Sequence, residues 1–123
     1  MTKELPAVDQ RRSQLLRGVL DLCLLAKISE RPRYGYEFVE ALAADGLELV
    51  SEGSIYPLLA RMERAGLVDT FRAPSATGGA PRKYYRLTGA GEAELAGGRA
   101  AWTHFTEAVG RTLDTDTTGG TTT

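Results

Sequence analysis

The chain has 123 residues, one cysteine and a formal net charge of −1, and it holds no run of about twenty apolar residues such as a membrane-spanning helix needs. These features exclude a disulfide framework, a membrane span and a surface coated in positive charge, and they predict one soluble domain in an intracellular, cytoplasmic setting. Residues 1–12 mix Lys3, Glu4, Pro6 and Asp9 without the apolar stretch of a secretory signal, and read as a flexible N-terminal arm.

A first helix is expected over Gln14–Ile28, with Ser13 as a possible N-cap. Leu15, Leu16, Val19, Leu20, Leu22, Cys23, Leu24, Leu25 and Ile28 lie around most of its circumference. A helix apolar nearly all round in so short a chain needs cover on two sides, by its own domain and by a second subunit. Arg31-Pro32-Arg33 breaks the pattern. Tyr36, Phe38, Val39, Leu42 and Ala43 then recur at helical spacing until Asp45-Gly46 ends a second helix. Leu47–Val50 reads as an extended link. A third helix starts at Ser51 or nearer Ser54, because Pro57 has no backbone N–H and is best tolerated in a first turn. Ile55, Leu58, Leu59 and Met62 form its inward stripe, leaving Ser54, Tyr56, Arg61 and Arg64 for an outward or groove-facing side, and Gly66 closes it.

Leu67–Arg72 alternates as one strand and Arg82–Leu87 as its partner, joined through Pro74–Pro81 by a long tip containing Gly78-Gly79. Tyr84 and Tyr85 must face opposite sides of that hairpin. Thr88 or Gly89 opens a last helix in which Leu95, Trp102, Phe105, Val109 and Leu113 follow at offsets of seven, three, four and four, a seam for packing against another helix. Gly97-Gly98 interrupts it at a cost of about 1 kcal/mol per glycine, so a bend or a close helix contact is expected there. Residues 114–123, rich in Thr and Gly, read as a disordered tail. The organisation is therefore mainly α with a small β-hairpin: an arm (1–12), a winged helix-turn-helix (13–88), a C-terminal dimerisation helix (89–113) and the tail.

Charge is distributed unevenly along this plan. Gly53–Thr88 holds six cations (Arg61, Arg64, Arg72, Arg82, Lys83, Arg86) against two anions (Glu63, Asp69), whereas Glu30–Glu52 holds two cations against six anions. Cations gathered on a helix and a hairpin are what a phosphate backbone requires, whatever the total charge. Chemistry on substrates is poorly served. His104 and Cys23 are the only residues of their types and lie far apart, with Cys23 inside an apolar helix; no metal-ligand spacing or phosphate-loop motif is present. The chain reads as neither an enzyme nor a metalloprotein, and no cofactor is expected.

Leu15–Leu20, Tyr34-Gly35-Tyr36-Glu37, Gly53–Leu59, Ala65-Gly66-Leu67-Val68 and Lys83–Thr88 together resemble the PadR family of bacterial transcriptional regulators, over about Leu15–Leu113. The resemblance implies a winged-helix repressor that dimerises through its first and last helices on an inverted-repeat operator, and the short C-terminal part is similar to the small subgroup lacking a larger C-terminal domain. Tyr34 stands where members of the family often carry histidine. The residues support DNA binding on their own chemistry as well. Gly53 and Ser54 allow close backbone approach at a positive helix end, Ser51 adds a hydroxyl, and Tyr56 offers a hydroxyl for a phosphate and a ring for thymine methyls. Arg82 and Lys83 flank a tip at Gly79 able to reach the backbone or the minor groove. Arg61 and Tyr36 join the DNA-contacting set, and Arg12, before the first helix, can hold a flanking phosphate. The resemblance further implies a site for planar or aromatic effectors near Trp102, Phe105 and the apolar face of the first helix (Leu16, Val19), with the dimer interface drawn from Leu15, Leu16, Leu95, Trp102, Phe105, Val109 and Leu113. Rival readings are a small-molecule-binding protein whose winged helix no longer reads DNA, and a protein-interaction module.

Overall fold

A computed structural model describes residues 7–74 and 78–114. Five helices and three short strands follow in the order α1 (Ala7–Arg17), α2 (Leu20–Glu30), β1 (Arg33–Tyr34), α3 (Gly35–Ala44), α4 (Glu52–Arg64), β2 (Val68–Ala73), β3 (Arg82–Leu87) and α5 (Gly89–Leu113). The strands form one antiparallel sheet in the order β1-β3-β2, with β2 and β3 in unbroken register from Val68↔Leu87 to Ala73↔Arg82. The winged helix-turn-helix expected from the pattern is therefore present.

The single helix expected over Gln14–Ile28 is two helices. Gly18 weakens the first by lacking a side chain, and the chain turns there through three-residue bonds, Gly18 N–H to the Leu15 carbonyl and Val19 N–H to that of Leu16 (3.2 and 2.9 Å). The apolar positions that seemed to encircle one helix thus belong to two. Leu20, Leu24, Leu25 and Ile28 of α2 enter the core, while Leu15 of α1 is exposed. A second correction follows: helix α1 begins at Ala7, so residues 7–12 are not a loose arm, and Ser13 lies mid-helix rather than at a cap.

The core is closed by Phe38 and Leu42 of α3, Ile55, Leu59 and Met62 of α4, Val68, Tyr85 and Leu95, all buried. Leu24, Phe38, Ile55 and Leu59 have no exposed surface, and truncating any of them to Ala should cost about 2–5 kcal/mol. Two connections depart from expectation. Leu47–Val50 is a turn, with the Leu47 N–H on the Leu42 carbonyl at 2.8 Å, and it tucks Val50 into the core. Arg33-Tyr34, beyond the break at Arg31, adds a two-residue strand visible only once β3 is there to pair with it.

Helix α4 starts after Ser51 and carries Pro57 in its second turn, which removes the N–H that would otherwise serve the Gly53 carbonyl. Gly66 ends it at φ +79°, a conformation other residues adopt reluctantly. Thr88 ties this end to the next helix: its hydroxyl donates to the Gly66 carbonyl (2.7 Å) and accepts from the Gly91 N–H at the start of α5 (3.1 Å). Helix α5 runs unbroken through Gly97-Gly98, and at Gly98 it meets α2 closely: a Cβ there would run into the Leu22 side chain. Among the described residues no helix is long and apolar enough to cross a membrane. Residues 115–123 of the expected tail, and 75–77 of the wing tip, lie outside the described residues.

Candidate nucleic-acid interface

Helix α4 presents Ser51, Gly53, Ser54 and Tyr56 along one exposed edge of its N-terminal half, with exposed Arg61 further on. Ser51 caps by position but not by a side-chain bond to the backbone. Its hydroxyl lies 3.1 Å from that of Ser54, which in turn donates to the Ser51 carbonyl at 3.1 Å. Both hydroxyls are thus held at the positive end of the helix dipole, where anions are favoured. Around Gly53 the space is open: a Cβ would meet nothing closer than the Ser51 hydroxyl at 3.9 Å, so nothing inside the chain demands the glycine, and a close external surface would.

Tyr56 is half exposed, and its hydroxyl donates to the Glu52 carboxylate at 3.2 Å. Burial, then the hydrogen bond and negative charge of Glu52, raise the phenol's pKa above its usual value and keep it a proton donor. The ring lies so close over Gly35 that any side chain at that position would strike it. Opposite stands the wing. Tyr34, Gly35, Tyr56, Gly78–Lys83 and Tyr85 line a polar cleft of about 360 Å³ between α4 and the hairpin. The cleft brings together four residues expected on DNA: Tyr56, Gly79, Arg82 and Lys83.

The six cations between Gly53 and Thr88 are not equally free. Lys83 Nζ is 3.5 Å from Glu63 and Arg86 Nε is 3.0 Å from Asp69, while Arg61, Arg64, Arg72 and Arg82 form no ion pair among the described residues. Arg82 lies instead over the Tyr34 ring, 4.6 Å from its centre. The two tyrosines of β3 divide as alternation requires: Tyr85 is buried against Phe38, and Tyr84 stacks on Phe71 on the outer face of the sheet.

Two expected contacts lie elsewhere. Arg12 belongs to α1, where its guanidinium donates to the Gly46 carbonyl at 2.6 Å and sits 3.7 Å from Asp9. These contacts join α1 to the turn after α3, and Arg12 does not line the cleft. Tyr36 is exposed on α3 and does not line the cleft. Sequence reasoning missed Gly35, Tyr34 and Glu52 as parts of this site. Gly35 and Tyr34 depend on the approach of α3 to α4 and on the pairing of β1 with β3, neither of which leaves a local signal, whereas Glu52 lies four residues before Tyr56 in the same helix, a spacing visible in the sequence.

A second, apolar region lies along α5. Trp102 (47 % exposed), Phe105 (63 %), Val109 and Leu113 (75 %), with Leu15 of α1, rim an open groove of about 730 Å³. An adjoining groove of about 280 Å³ is lined by Arg12, Leu15, Leu16, Val19, Cys23, Leu47, Leu49 and Trp102. Trp102 and Val19 thus lie between both grooves, Phe105 in the larger and Leu16 in the smaller. Leu95, expected on the same seam, is instead 5 % exposed in the protomer's own core and offers nothing to a partner. The Cys23 thiol is pushed above its ordinary pKa, chiefly by burial and then by Asp21 and Asp45, so it stays protonated.

A family model described as the transcriptional regulator PadR-like family matches residues 24–97. Among solved structures, the chain is 39 % identical to a PadR-like transcriptional regulator from Bacillus cereus, covering 84 % of this chain and 99 % of that one with a TM-score of 0.75. It is 33 % identical to a PadR family transcriptional regulator from Eggerthella lenta, covering 89 % and 94 % with a TM-score of 0.77. A Lysinibacillus sphaericus protein described only as uncharacterized is 31 % identical over 100 residues, 80 % of this chain and 91 % of its own length.

Proposed function

Since the chain belongs to the PadR-like family of transcriptional regulators and is a DNA-binding regulator on that ground, we propose that it works in the cytoplasm as a homodimeric repressor of an inverted-repeat operator, released by a planar aromatic effector. The observation that carries the DNA part is the cleft: Tyr56 of α4 faces Gly79, Lys83 and Arg82 of the wing, and Arg82 forms no ion pair among the described residues, where a duplex would pass from recognition helix to wing. Helix α4 enters the major groove with Ser51, Gly53, Ser54, Tyr56 and Arg61, and the wing residues Gly79, Arg82 and Lys83 hold the neighbouring backbone.

The dimer is supported by the uncovered face of α5. A row of four large apolar residues continuous with Leu15 is more than a soluble monomer usually leaves to water, and a second copy covers it with the same row. In that arrangement Trp102 and Phe105 approach their symmetry mates and wall a shared slot with Leu16 and Val19. The charged groups lining the larger groove are Asp21 and Glu94, which favours a neutral or cationic aromatic effector over an acidic one. Half-sites one helical turn apart, about 34–36 Å, must match the spacing of the two α4 helices, so an effector that rotates the protomers at this seam weakens operator binding.

A fluorescence-anisotropy titration against the chain's own upstream promoter fragment and an unrelated fragment, at low and near-physiological salt, tests the proposal. Binding to the promoter that survives salt while the unrelated duplex is lost is the expected result. Trp102 quenching by aromatic compounds with no DNA binding at either salt would replace it with the small-molecule reading.

A further inference from the structure

We propose that Tyr34 is a positioning residue for DNA binding: its ring holds the Arg82 guanidinium at the wing cleft, with its charge intact, for a backbone phosphate. The inference rests on the DNA-binding function proposed above and assigns a role to a side chain that the contacts of α4 and the wing leave unexplained.

All three cations of β3 lie over rings, Arg82 over Tyr34, Lys83 over Tyr85 at 5.6 Å and Arg86 over Phe71, but they differ in their anionic partners. Lys83 and Arg86 each face a carboxylate, Glu63 and Asp69. Such a partner orients the cation but cancels its field, and an arriving phosphate has to compete with it. Arg82 faces the Tyr34 ring at 4.6 Å. An aromatic face attracts a guanidinium through its quadrupole and brings no net charge, so Arg82 is oriented yet remains a full cation. No carboxylate residue lines the cleft that Arg82, Tyr34, Tyr56 and Gly79 share.

Tyr34 is itself well anchored. Its backbone N–H donates to Glu37 at 3.2 Å, and it pairs with Tyr84 across the β1–β3 ladder. The two rings meet edge to face at 5.5 Å, and Tyr84 stacks on Phe71 at 5.4 Å and 14°. Phe71 carries Arg86 at 4.8 Å. The outer face of the sheet thus bears three rings in a row with an arginine at each end. Asp69 partly offsets the far arginine, whereas the one beside the wing tip and Tyr56 has no carboxylate partner among the described residues. Rotamer-rich arginine otherwise loses side-chain freedom when it meets a phosphate; a guanidinium already resting on a ring has lost part of it beforehand.

The test uses the full chain, a mixed-sequence duplex of roughly 30 base pairs at several salt concentrations, and the variants Tyr34→Phe, Tyr34→Leu, Arg82→Ala and Tyr34→Leu/Arg82→Ala. Tyr34→Phe should bind like the parent. Tyr34→Leu should weaken binding by about two- to fivefold, and Arg82→Ala should flatten the salt dependence of log K by about 0.9. Adding Tyr34→Leu to Arg82→Ala should then cost nothing more. Equal losses from Tyr34→Leu in both backgrounds, or a loss on Tyr34→Phe, would show that Tyr34 acts by packing or by its own hydroxyl and overturn the inference. A readout free of DNA keeps it open to refutation if Tyr34→Leu folds poorly: the Arg82 δ protons should be shifted upfield by the ring current in the parent and Tyr34→Phe. Their absence from that position in the parent removes the contact. A parent that binds no duplex at low salt overturns the DNA-binding function and this inference together, whereas loss on Arg82→Ala without the coupling overturns this inference alone.

Discussion

The cleft between α4 and the wing is completed by contacts within one chain, whereas the groove along α5 is left open by it. In the cleft, Tyr56 rests on Gly35, Arg82 on Tyr34, and Lys83 reaches Glu63. Along α5, Trp102, Phe105 and Leu113 have wide faces with nothing described upon them. Polar and charged groups are stable in water, so a surface that reads phosphates can be pre-organised before its partner arrives. An apolar row has no such stable free state, and its stability comes with whatever covers it. Recognition can thus be a property of the protomer, while in the proposed dimer the spacing of the two α4 helices would be a property of the pair.

The largest effect should come from breaking the open region. Phe105→Glu places a charge in the seam, and in a symmetric dimer the substitution counts twice. At about 2 kcal/mol or more per copy, the dimer dissociation constant should rise on the order of a thousandfold. Sedimentation velocity should then show monomers at concentrations where the parent is a dimer, with operator binding lost and thermal stability of the protomer little changed. A Phe105→Glu protein that sediments like the parent would mean that the seam is not the interface. Next comes the closed region. Gly35→Ala puts a Cβ into the Tyr56 ring and hydroxyl, an overpacking that costs about 1–3 kcal/mol unless Tyr56 swings away. Either route should disturb the cleft, seen as a lower unfolding temperature or a loss of duplex affinity of about tenfold, while the dimer mass stays unchanged. Retention of both stability and affinity would show the cleft to be looser than its geometry.

Smaller differences should separate the wing cations. Lys83→Ala removes a charge partly spent on Glu63 and should reduce affinity and salt slope less than Arg82→Ala; Arg86→Ala, paired with Asp69, should change them least. A reversed order would mean that these ion pairs open on DNA.

Much of this was legible in the sequence because it is written locally. Gly66 at the end of α4, Thr88 at the start of α5 and the strand Arg82–Leu87 follow from spacing and turn chemistry, and the structure has each of them; the residues from Trp102 to Leu113 form an exposed apolar row, whose proposed partner is a second copy. The failures share a different cause. Gly18 splits what periodicity joined, since two consecutive helices with rotated apolar faces add up to one apolar all round. Leu95 matches the seam by offset, but only the packing of α5 on the core shows that it is already spent there. That Arg12 also bonds the carbonyl of Gly46, thirty-four residues away, is a tertiary contact the local pattern does not carry. The cleft's supporting residues Tyr34 and Gly35 depend on neighbours that tertiary structure alone supplies, whereas Glu52 stands one helical turn before Tyr56 and was open to reading from the i,i+4 spacing.

Glu52 offers the finest test of the contrast, because it is an anion on a surface otherwise built for anions. It stands in the first turn of α4, where the helix dipole favours it, and it accepts the Tyr56 hydroxyl at 3.2 Å. Glu52→Gln keeps an acceptor for that hydroxyl and removes the charge. Binding to an unrelated duplex should then tighten by about two- to threefold, the scale of one exposed charge, with a slight loss of helix stability. The same variant has a second, independent readout. The Tyr56 phenol is raised first by burial and then by Glu52, so neutralising Glu52 should bring its titration down toward the ordinary tyrosine range without reaching it, since burial remains. Tyrosine ζ-carbon resonances followed to high pH resolve this residue from the others. A lowered titration with unchanged duplex affinity would place Glu52 beside Tyr56 but away from the phosphates; tighter non-specific binding coupled to weaker operator binding would mark the carboxylate as an acceptor for a cytosine amine in the major groove.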